Sequence, residues 1–246
     1  NEPGKCIYTH MLNPDGGIEA DLTVVCVESN HFRIISSAAT RERDKFHIKR
    51  YLSKDIEFKD ITDDLVVFGL FGPKSRDLIK TISKDNFDND GFKFSTAKYI
   101  TIEDVEIWAQ RLSYVGELGY ELYVNIKDAK KIYELLIEKG KDFNLSNCGM
   151  HAMDIMRMES GFLHWGHDIS PEENQYQAGL SFTISKKKDV DFIGKQALEK
   201  IKKEKIKNKF AMFTLKESEP GKPLLLHDEP IYIDDKIIGR STSGNY

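Results

Sequence analysis

The chain has 246 residues, with 36 basic and 40 acidic side chains and a formal net charge of −4. This near balance argues against a general nucleic-acid binder, which carries a strongly basic face, and no apolar run approaches the ~20 residues that cross a bilayer. Three dispersed cysteines suit a reducing compartment better than a disulfide scaffold. We therefore expect no nucleic-acid or membrane partner, and a location in the cytoplasm, or in the mitochondrial matrix if the source is eukaryotic.

The first half of the chain is predicted to mix strands and helices. The turn residues at 14–17 join two apolar runs, Cys6–Leu12 and Ile18–Val27, as a β-hairpin. Further strands are predicted at 31–36, 66–71, 98–102, 105–112 and 120–124, and helices at 40–52, 75–82, 128–138 and 150–159. Because no regular βαβ alternation appears, the pattern favours the α+β class over a doubly wound sheet.

The second half is predicted to contain a strand at 178–185 and a short helix at 194–202, with strands and turns from Phe210 onward. The lysines at 186–188 and the lysine-rich stretch at 200–209 are typical of a solvated surface. Both termini look as if they were cut from a longer polypeptide.

Asp21 is the most prominent carboxylate of the predicted strands. The strand at 18–27 is apolar on both faces, and Asp21 lies between Glu19 and Thr23 on one of them. Strands of that kind are usually buried on both faces, and burial raises a carboxyl pKa, as in many active sites. The pattern leaves two interpretations open, a catalytic acid–base group or an edge-strand aspartate that hydrogen-bonds a turn.

The segment 114–121, Tyr-Val-Gly-Glu-Leu-Gly-Tyr-Glu, has the residue types of a ligand-binding turn. Its two glycines allow close backbone approach to a ligand. Tyr114 and Tyr120 can stack on a flat heterocycle, and Glu121 can accept two N–H donors from it. The alternative is a hairpin with surface tyrosines.

Arg157 precedes a third polar cluster, His164-Trp165-Gly166-His167-Asp168. Two histidines and an aspartate at this spacing on a loop match no standard metal site, and neither a nearby thiol nor an HExxH motif supports one. We therefore expect no metal. Serine hydrolase, P-loop and Rossmann motifs are also missing from the sequence.

The blocks at 8–13 (Tyr-Thr-His-Met-Leu-Asn) and 16–24 (Gly-Gly-Ile-Glu-Ala-Asp-Leu-Thr-Val) resemble the signature of the glycine-cleavage T-protein (aminomethyltransferase) fold family. Similar blocks follow in the family's order at 71–76, 114–121, 191–195 and 239–244. The resemblance implies a T-protein-like α+β fold with mixed antiparallel sheets and helices, followed by a partial C-terminal β-barrel. It implies a folate-binding core over residues 1–185, without its N-terminal segment, and a truncated β-rich domain over 186–246.

The block 164–174 is closer to the folate-binding carboxyl half of dimethylglycine and sarcosine dehydrogenases. In those enzymes a flavin domain oxidises an N-methyl amine, and the folate-binding module captures the one-carbon unit as 5,10-methylenetetrahydrofolate. The resemblance thus implies an enzyme that uses tetrahydrofolate and an N-methyl amine donor. FAD would bind only in an upstream domain of the same full-length polypeptide, absent from this chain.

The resemblance also assigns roles to individual residues. The family's catalytic aspartate falls on Asp21 and its pterin-binding glutamate on Glu121. Tyr114 matches an aromatic residue that lines the pterin, and Arg157 matches an arginine near the folate tail.

Two positions depart from the T-protein pattern. The stretch Ser36-Ser37-Ala38-Ala39-Thr40 replaces an Asn-Ser-Ala-Thr stretch, and Met153 stands where T-proteins often have a second arginine. Two alternatives therefore stay open. One is a T-protein proper, which uses an aminomethyl-lipoyl donor, and the other is a non-catalytic folate-binding module on the same scaffold.

Overall fold

The computed structural model describes residues 2–185 and 190–245. They cluster into two compact units: the first unit holds residues 2–7, 24–34 and 45–154, and the second unit holds residues 8–23, 35–44, 155–185 and 190–245. The predicted domain boundary at residue 186 and the lysines at 186–188 lie outside the described residues, so the boundary stays a prediction. In the described ranges, no helix is both long and apolar enough to cross a membrane.

The strands are β1 (Cys6–Leu12), β2 (Ile18–Glu28), β3 (His31–Ile35), β4 (Leu65–Phe71), β5 (Ala97–Ile102), β6 (Val105–Gln110), β7 (Gly119–Asn125), β8 (Pro230–Ile233) and β9 (Lys236–Arg240). The helices are α1 (Arg41–Tyr51), α2 (Ser75–Ile82), α3 (Ile126–Gly140), α4 (Met150–Glu159) and α5 (Lys195–Ile201). Three sheets have the orders β1-β2-β3, β4-β7-β6-β5 and β8-β9. The pairings within the second and third sheets are antiparallel, so the predicted α+β fold with antiparallel sheets and helices is confirmed.

The four-stranded sheet of the first unit has two different faces. Alternation along its strands sends isoleucine, leucine and valine side chains to one face, which packs with α2 and α3 into the main hydrophobic core. Burying each Leu or Ile side chain contributes about 1.5–3 kcal/mol. A slip of one residue in strand pairing would turn these side chains out of the core, so the core fixes the register. The opposite face therefore carries polar and aromatic side chains at defined positions.

Helix α3 begins two residues before the predicted start at residue 128. The reason is a cap: the Asn125 side chain accepts a hydrogen bond from the Lys127 N–H, which satisfies one of the unpaired donors of the first turn.

The predicted strand at 178–185 is wrong, because this segment forms successive turns with a 3₁₀ helix at Ser181–Thr183. The Ala178 N–H donates to the Asn174 carbonyl and the Leu180 N–H to the Gln175 carbonyl, so these backbone groups are satisfied locally. The apolar side chains of the segment pack instead on the smaller core of the second unit, around Leu12 and Ile18.

Candidate active site

Asp21 lies on β2, and the start of this strand is fixed by the turn before it. The Asn13 side chain accepts hydrogen bonds from the N–H groups of Asp15 and Gly17 at 3.0 and 2.8 Å. A Cβ atom at Gly17 would lie 1.9 Å from the Pro171 carbonyl oxygen, so only glycine fits there. The predicted hairpin is thus confirmed, and a rigid turn positions the strand that carries Asp21.

A second set of contacts anchors β2 within the same unit. The Trp165 indole N–H donates to the Ile18 carbonyl at 2.9 Å. The Arg43 guanidinium lies 4.5 Å from the centre of the Trp165 ring and pairs with the Glu19 carboxylate. Glu19 and Trp165 thereby share one cation, which holds the strand against the loop after α4. Supporting contacts of this kind keep a functional side chain in place.

The Asp21 carboxyl is half-buried, and burial raises its pKa above the usual range, although the hydrogen bond from the Tyr8 hydroxyl partly lowers it. The Tyr8 Oη donates to Asp21 Oδ2 at 3.3 Å. The negative charge of Asp44, which is 3% exposed, raises the Asp21 pKa further. Thr40 donates to Asp44 Oδ2 at 2.7 Å. A carboxyl whose pKa is raised towards neutrality is suited to proton transfer.

His10, on β1, is a half-buried histidine of the same unit, and partial burial lowers its pKa to about 4. Its Nδ1 lies 3.1 Å from the Thr183 hydroxyl. In the unfolded chain a histidine takes up a proton below about pH 6.5, whereas folded His10 stays neutral until about pH 4. This residue therefore stabilises the fold at neutral pH, and that contribution is lost as the pH falls from about 6.5 towards 4.

We expect His10→Gln to flatten the acid dependence of stability. Between about pH 7 and about pH 5 the wild type should lose about 1–2 kcal/mol more unfolding free energy than the variant, allowing for partial exposure of the ring. Urea unfolding at the two pH values measures this difference. His31→Gln, at an exposed position, is the control. Equal pH dependence of wild type and His10→Gln would contradict the assignment.

Glu121 lies in the first unit, on the polar face of the four-stranded sheet. We call the side chains of Trp108, Gln110, Glu121 and Tyr123 the Glu121 face. Gln110 pairs directly with Glu121 across β6 and β7, and Trp108 pairs with Tyr123. Directly paired residues point to the same side of a sheet, so these four side chains share one surface.

The Glu121 carboxyl is held by its neighbour on the same strand. The Tyr123 hydroxyl donates to Glu121 Oε2 at 2.7 Å. Burial raises the pKa of Glu121, and the Tyr123 hydrogen bond offsets part of this rise. The Tyr123 pKa is itself raised, first by burial and then by the negative charge of Glu121, so the phenol remains a donor.

An aromatic ring lies beside this carboxyl. Gly69 on β4 pairs with Glu121, and Phe71 pairs with Gly119. A Cβ atom at Gly69 or Gly119 would lie 2.5 or 2.3 Å from the Phe71 ring. Because both glycines lack a side chain, the Phe71 ring fits along the strand, next to Glu121.

Tyr114 is half-buried in the loop between β6 and β7. The Val115 N–H donates to the Ser113 hydroxyl at 3.2 Å, and Gly116 has a positive φ of 73°. The loop before β7 is therefore the glycine-containing turn expected from the sequence, although the ligand contact of Tyr114 stays a prediction.

Arg157, near the end of α4, is buried in an ion pair of the second unit. Its Nη1 pairs with Asp168 Oδ2, and its Nη2 donates to the Ser243 hydroxyl at 2.7 Å. Burial alone would raise the Asp168 pKa, but hydrogen bonds from Thr242, from the His164 N–H and from Ser243, with the charge of Arg157, hold it below the usual range.

Both Nη nitrogens of Arg157 thus bind groups inside the unit, and the expected contact of Arg157 with a folate tail stays a prediction. The side chain of Arg157 is 3% exposed and that of Asp168 is 0% exposed. The pair fastens the loop after α4 and the segment at 242–243 to the helix.

The structure thus divides the predicted site residues between the units, with Asp21 and Arg157 in the second unit and Glu121 and Tyr114 in the first. Sequence reasoning missed the partners of the two acids. Tyr8 and Asp44 accompany Asp21 in the second unit, and Gln110 and Tyr123 accompany Glu121 in the first. Tyr123 could have been found, because it lies two residues after Glu121 and so points to the same face of the strand. Asp44 could not, because it lies on helix α1 and no sequence pattern relates that helix to β2.

The model of the GCVT N-terminal domain family matches residues 1–188. The 4-methylaminobutanoate oxidase (formaldehyde-forming) of Paenarthrobacter nicotinovorans is 36% identical over 246 residues, which are 100% of this chain and 30% of that protein. The mitochondrial dimethylglycine dehydrogenase of Homo sapiens is 33% identical over 241 residues, which are 97% of this chain and 28% of that protein. The chain thus spans less than a third of each relative.

A solved structure, the glycine cleavage system aminomethyltransferase T from Bartonella henselae, superposes with a TM-score of 0.69 at 23% identity, over 82% of this chain and 54% of that one. This likeness shows that the two chains share a fold. The resemblance to the T-protein fold family and to the dehydrogenases, inferred above from sequence blocks, is therefore confirmed.

Proposed function

Because this chain belongs to the GCVT N-terminal domain family, we propose that it binds tetrahydrofolate and transfers a one-carbon unit to it, giving 5,10-methylenetetrahydrofolate. The observation that supports this most directly is the Glu121 carboxyl, held by Tyr123 and flanked by the Phe71 ring. A pterin ring is flat and carries adjacent N–H donors on one edge. A carboxylate beside an aromatic side chain fits such a ring, since the carboxylate accepts hydrogen bonds from both N–H donors and the aromatic side chain covers one face of the pterin.

Bound tetrahydrofolate would supply the amine nitrogens that take up the one-carbon unit. Glu121 would orient the pterin ring, with Tyr123 fixing one carboxyl oxygen, and Tyr114 would line it. Asp21 would hold or move a proton during the transfer, and the Tyr8 hydroxyl would orient its Oδ2. A positioned acid–base group contributes ~10²–10⁴-fold in rate. Arg157 would lie near the folate tail, and its ion pair with Asp168 would keep the loop after α4 in place.

We propose an N-methylated amino acid as the one-carbon donor. The names of the two relatives refer to 4-methylaminobutanoate and dimethylglycine, which are both N-methylamino carboxylates. The donor would be oxidised at a flavin domain in the same full-length polypeptide, where FAD would bind. The second candidate is an aminomethyltransferase, and the fold shared with such a protein favours it. An assay with both donor types separates the two.

Two further features belong to this proposal. The β8–β9 hairpin would form part of a C-terminal β-barrel. We propose the cytoplasm or the mitochondrial matrix as the compartment, and the human relative is a mitochondrial protein by name.

We expect Glu121→Ala to weaken tetrahydrofolate binding by about 10–100-fold, because a buried charge-assisted hydrogen bond contributes about 1.5–3 kcal/mol. Isothermal titration of the full-length protein measures the change. Glu106→Ala, an exposed glutamate of β6, is the matched control and should bind like the wild type. Equal affinity of Glu121→Ala and wild type would rule out the proposed pterin site.

A further inference from the structure

Besides Arg111 Nε, three side-chain N–H groups in the first unit are buried without a hydrogen-bond acceptor among the described residues: Arg33 Nη1, Trp108 Nε1 and Gln110 Nε2. They lie close together, because the Arg33 guanidinium is 5.0 Å from the centre of the Trp108 ring and Trp108 shares the Glu121 face with Gln110. Buried donors are nearly always paired in folded proteins, and an unpaired one destabilises the fold. Three unpaired donors that lie close together indicate a ligand that brings acceptor atoms.

Gln110 is the donor nearest to Glu121 in the sheet. It is 0% exposed and pairs directly with Glu121, whereas Trp108 lies two residues further along β6, about 7 Å away. The Cys6 thiol is a weak donor, and its Sγ lies 4.0 Å from Gln110 Oε1. The amide oxygen of Gln110 thus has a partner, and the amide nitrogen has none among the described residues. The Cys6 thiol stays protonated because burial, with the charge of Glu121, raises its pKa to about 12.

We propose that Gln110 binds the ring carbonyl of the pterin, its Nε2 donating to the 4-oxo oxygen while Glu121 accepts from the neighbouring ring N–H and 2-amino groups. This inference rests on the proposed function and extends it to a second residue. The edge of an oxo-pterin presents an acceptor followed by two donors. The Glu121 face presents the complementary order, an amide donor beside a carboxylate acceptor.

The geometry of the paired strands supports this match. Side chains of directly paired residues stand about 4.5–5.5 Å apart at their Cβ atoms, so one heterocyclic edge can reach both. Glu121 is partly open to solvent, and its neighbour Gln110 is buried. Rotation about the terminal torsions of Gln110 brings its amide to the ring edge. Gln110 would thereby fix the in-plane orientation of the ring.

Gln110→Met tests the proposal, since methionine keeps the length of the side chain and removes the donor. In the full-length protein we expect the Kd for tetrahydrofolate to rise about tenfold, the loss typical of one hydrogen bond. The same factor is expected with 6-methyltetrahydropterin, which lacks the folate tail, because the lost contact is to the ring. The melting temperature without ligand should not fall, because an unpaired donor has been replaced by an apolar group.

Gln175→Met is the matched control, because Gln175 is also buried, at 4% exposed, but belongs to the second unit. It should leave both Kd values unchanged. Gln110→Glu is the second variant and keeps the side-chain shape while replacing the amide donor by an acceptor, so it must weaken binding at least as much.

Unchanged Kd values in both Gln110 variants would overturn this inference. The proposed function would still stand if Glu121→Ala weakened binding in the same assay. A lower melting temperature with an unchanged Kd would assign Gln110 to the fold alone and would also overturn the inference.

Discussion

Replacing Asp21 by Asn should lower the rate of 5,10-methylenetetrahydrofolate formation by ~10² or more, the usual scale for a lost acid–base group. The fold should persist, because Asn has nearly the same volume and its amide oxygen can still accept the Tyr8 hydrogen bond. Burial raises the Asp21 pKa, so the ionised carboxylate makes the folded state less stable above the ordinary pKa of an aspartate. A neutral amide avoids this penalty, and the melting temperature should stay within a few degrees.

The decisive measurement is the product ratio in the full-length enzyme supplied with an N-methyl amine and tetrahydrofolate. Amine oxidation at a separate flavin site should continue in Asp21→Asn and release free formaldehyde in place of the folate adduct. Asp15→Asn, at an exposed position of the preceding turn, is the control and should keep the wild-type ratio. Unchanged capture by Asp21→Asn would mean that this carboxylate is structural.

Asp168→Ala should destabilise the protein by about 3–5 kcal/mol, because it leaves the buried Arg157 guanidinium without its counter-charge. Urea unfolding at neutral pH, followed by circular dichroism, measures the loss. The Asp168 pKa is held below its ordinary value, so its contribution is present at neutral pH and is lost as the pH falls below the usual range of an aspartate.

The matched control for this pair is Asp228→Ala, which removes the exposed partner of Arg240 and should change stability little. The double variant Arg157→Met with Asp168→Leu should recover much of the loss, because it removes both buried charges. A single Asp168→Ala variant as stable as the wild type would contradict the structural role of the ion pair.

The strands and helices of the first unit could be predicted from the sequence because their periodicity is strong. Helix α4 and helix α2 have the expected bounds, and β4 begins one residue before its predicted start. The apolar face of the sheet packs on α2 and α3, so alternation in sequence and burial in the structure agree. At 178–185 the apolar residues predict a strand, but the segment is a loop that covers the smaller core. Hydrophobic residues in such a loop have no regular period, so the sequence does not distinguish it from a short buried strand.

The acids of the candidate site could be named from sequence, but their surroundings could not. Gln110 and Glu121 become neighbours only through the register of β6 and β7, which depends on the whole sheet. Arg157 was grouped with Asp168 in one motif, yet its second partner, Ser243, lies 86 residues away in the chain. Contacts at such separations leave no local pattern.

That distant contact has a consequence for the order in which the chain folds during synthesis. Most of the first unit is one continuous stretch, residues 45–154, so its sheet and helices can assemble as soon as that stretch has left the ribosome. The second unit combines three separate stretches, and its buried ion pair receives hydrogen bonds from Thr242 and Ser243. Nascent chains that stop short of residue 242 would therefore hold Arg157 and Asp168 without two of their partners, and this unit would complete its folding late.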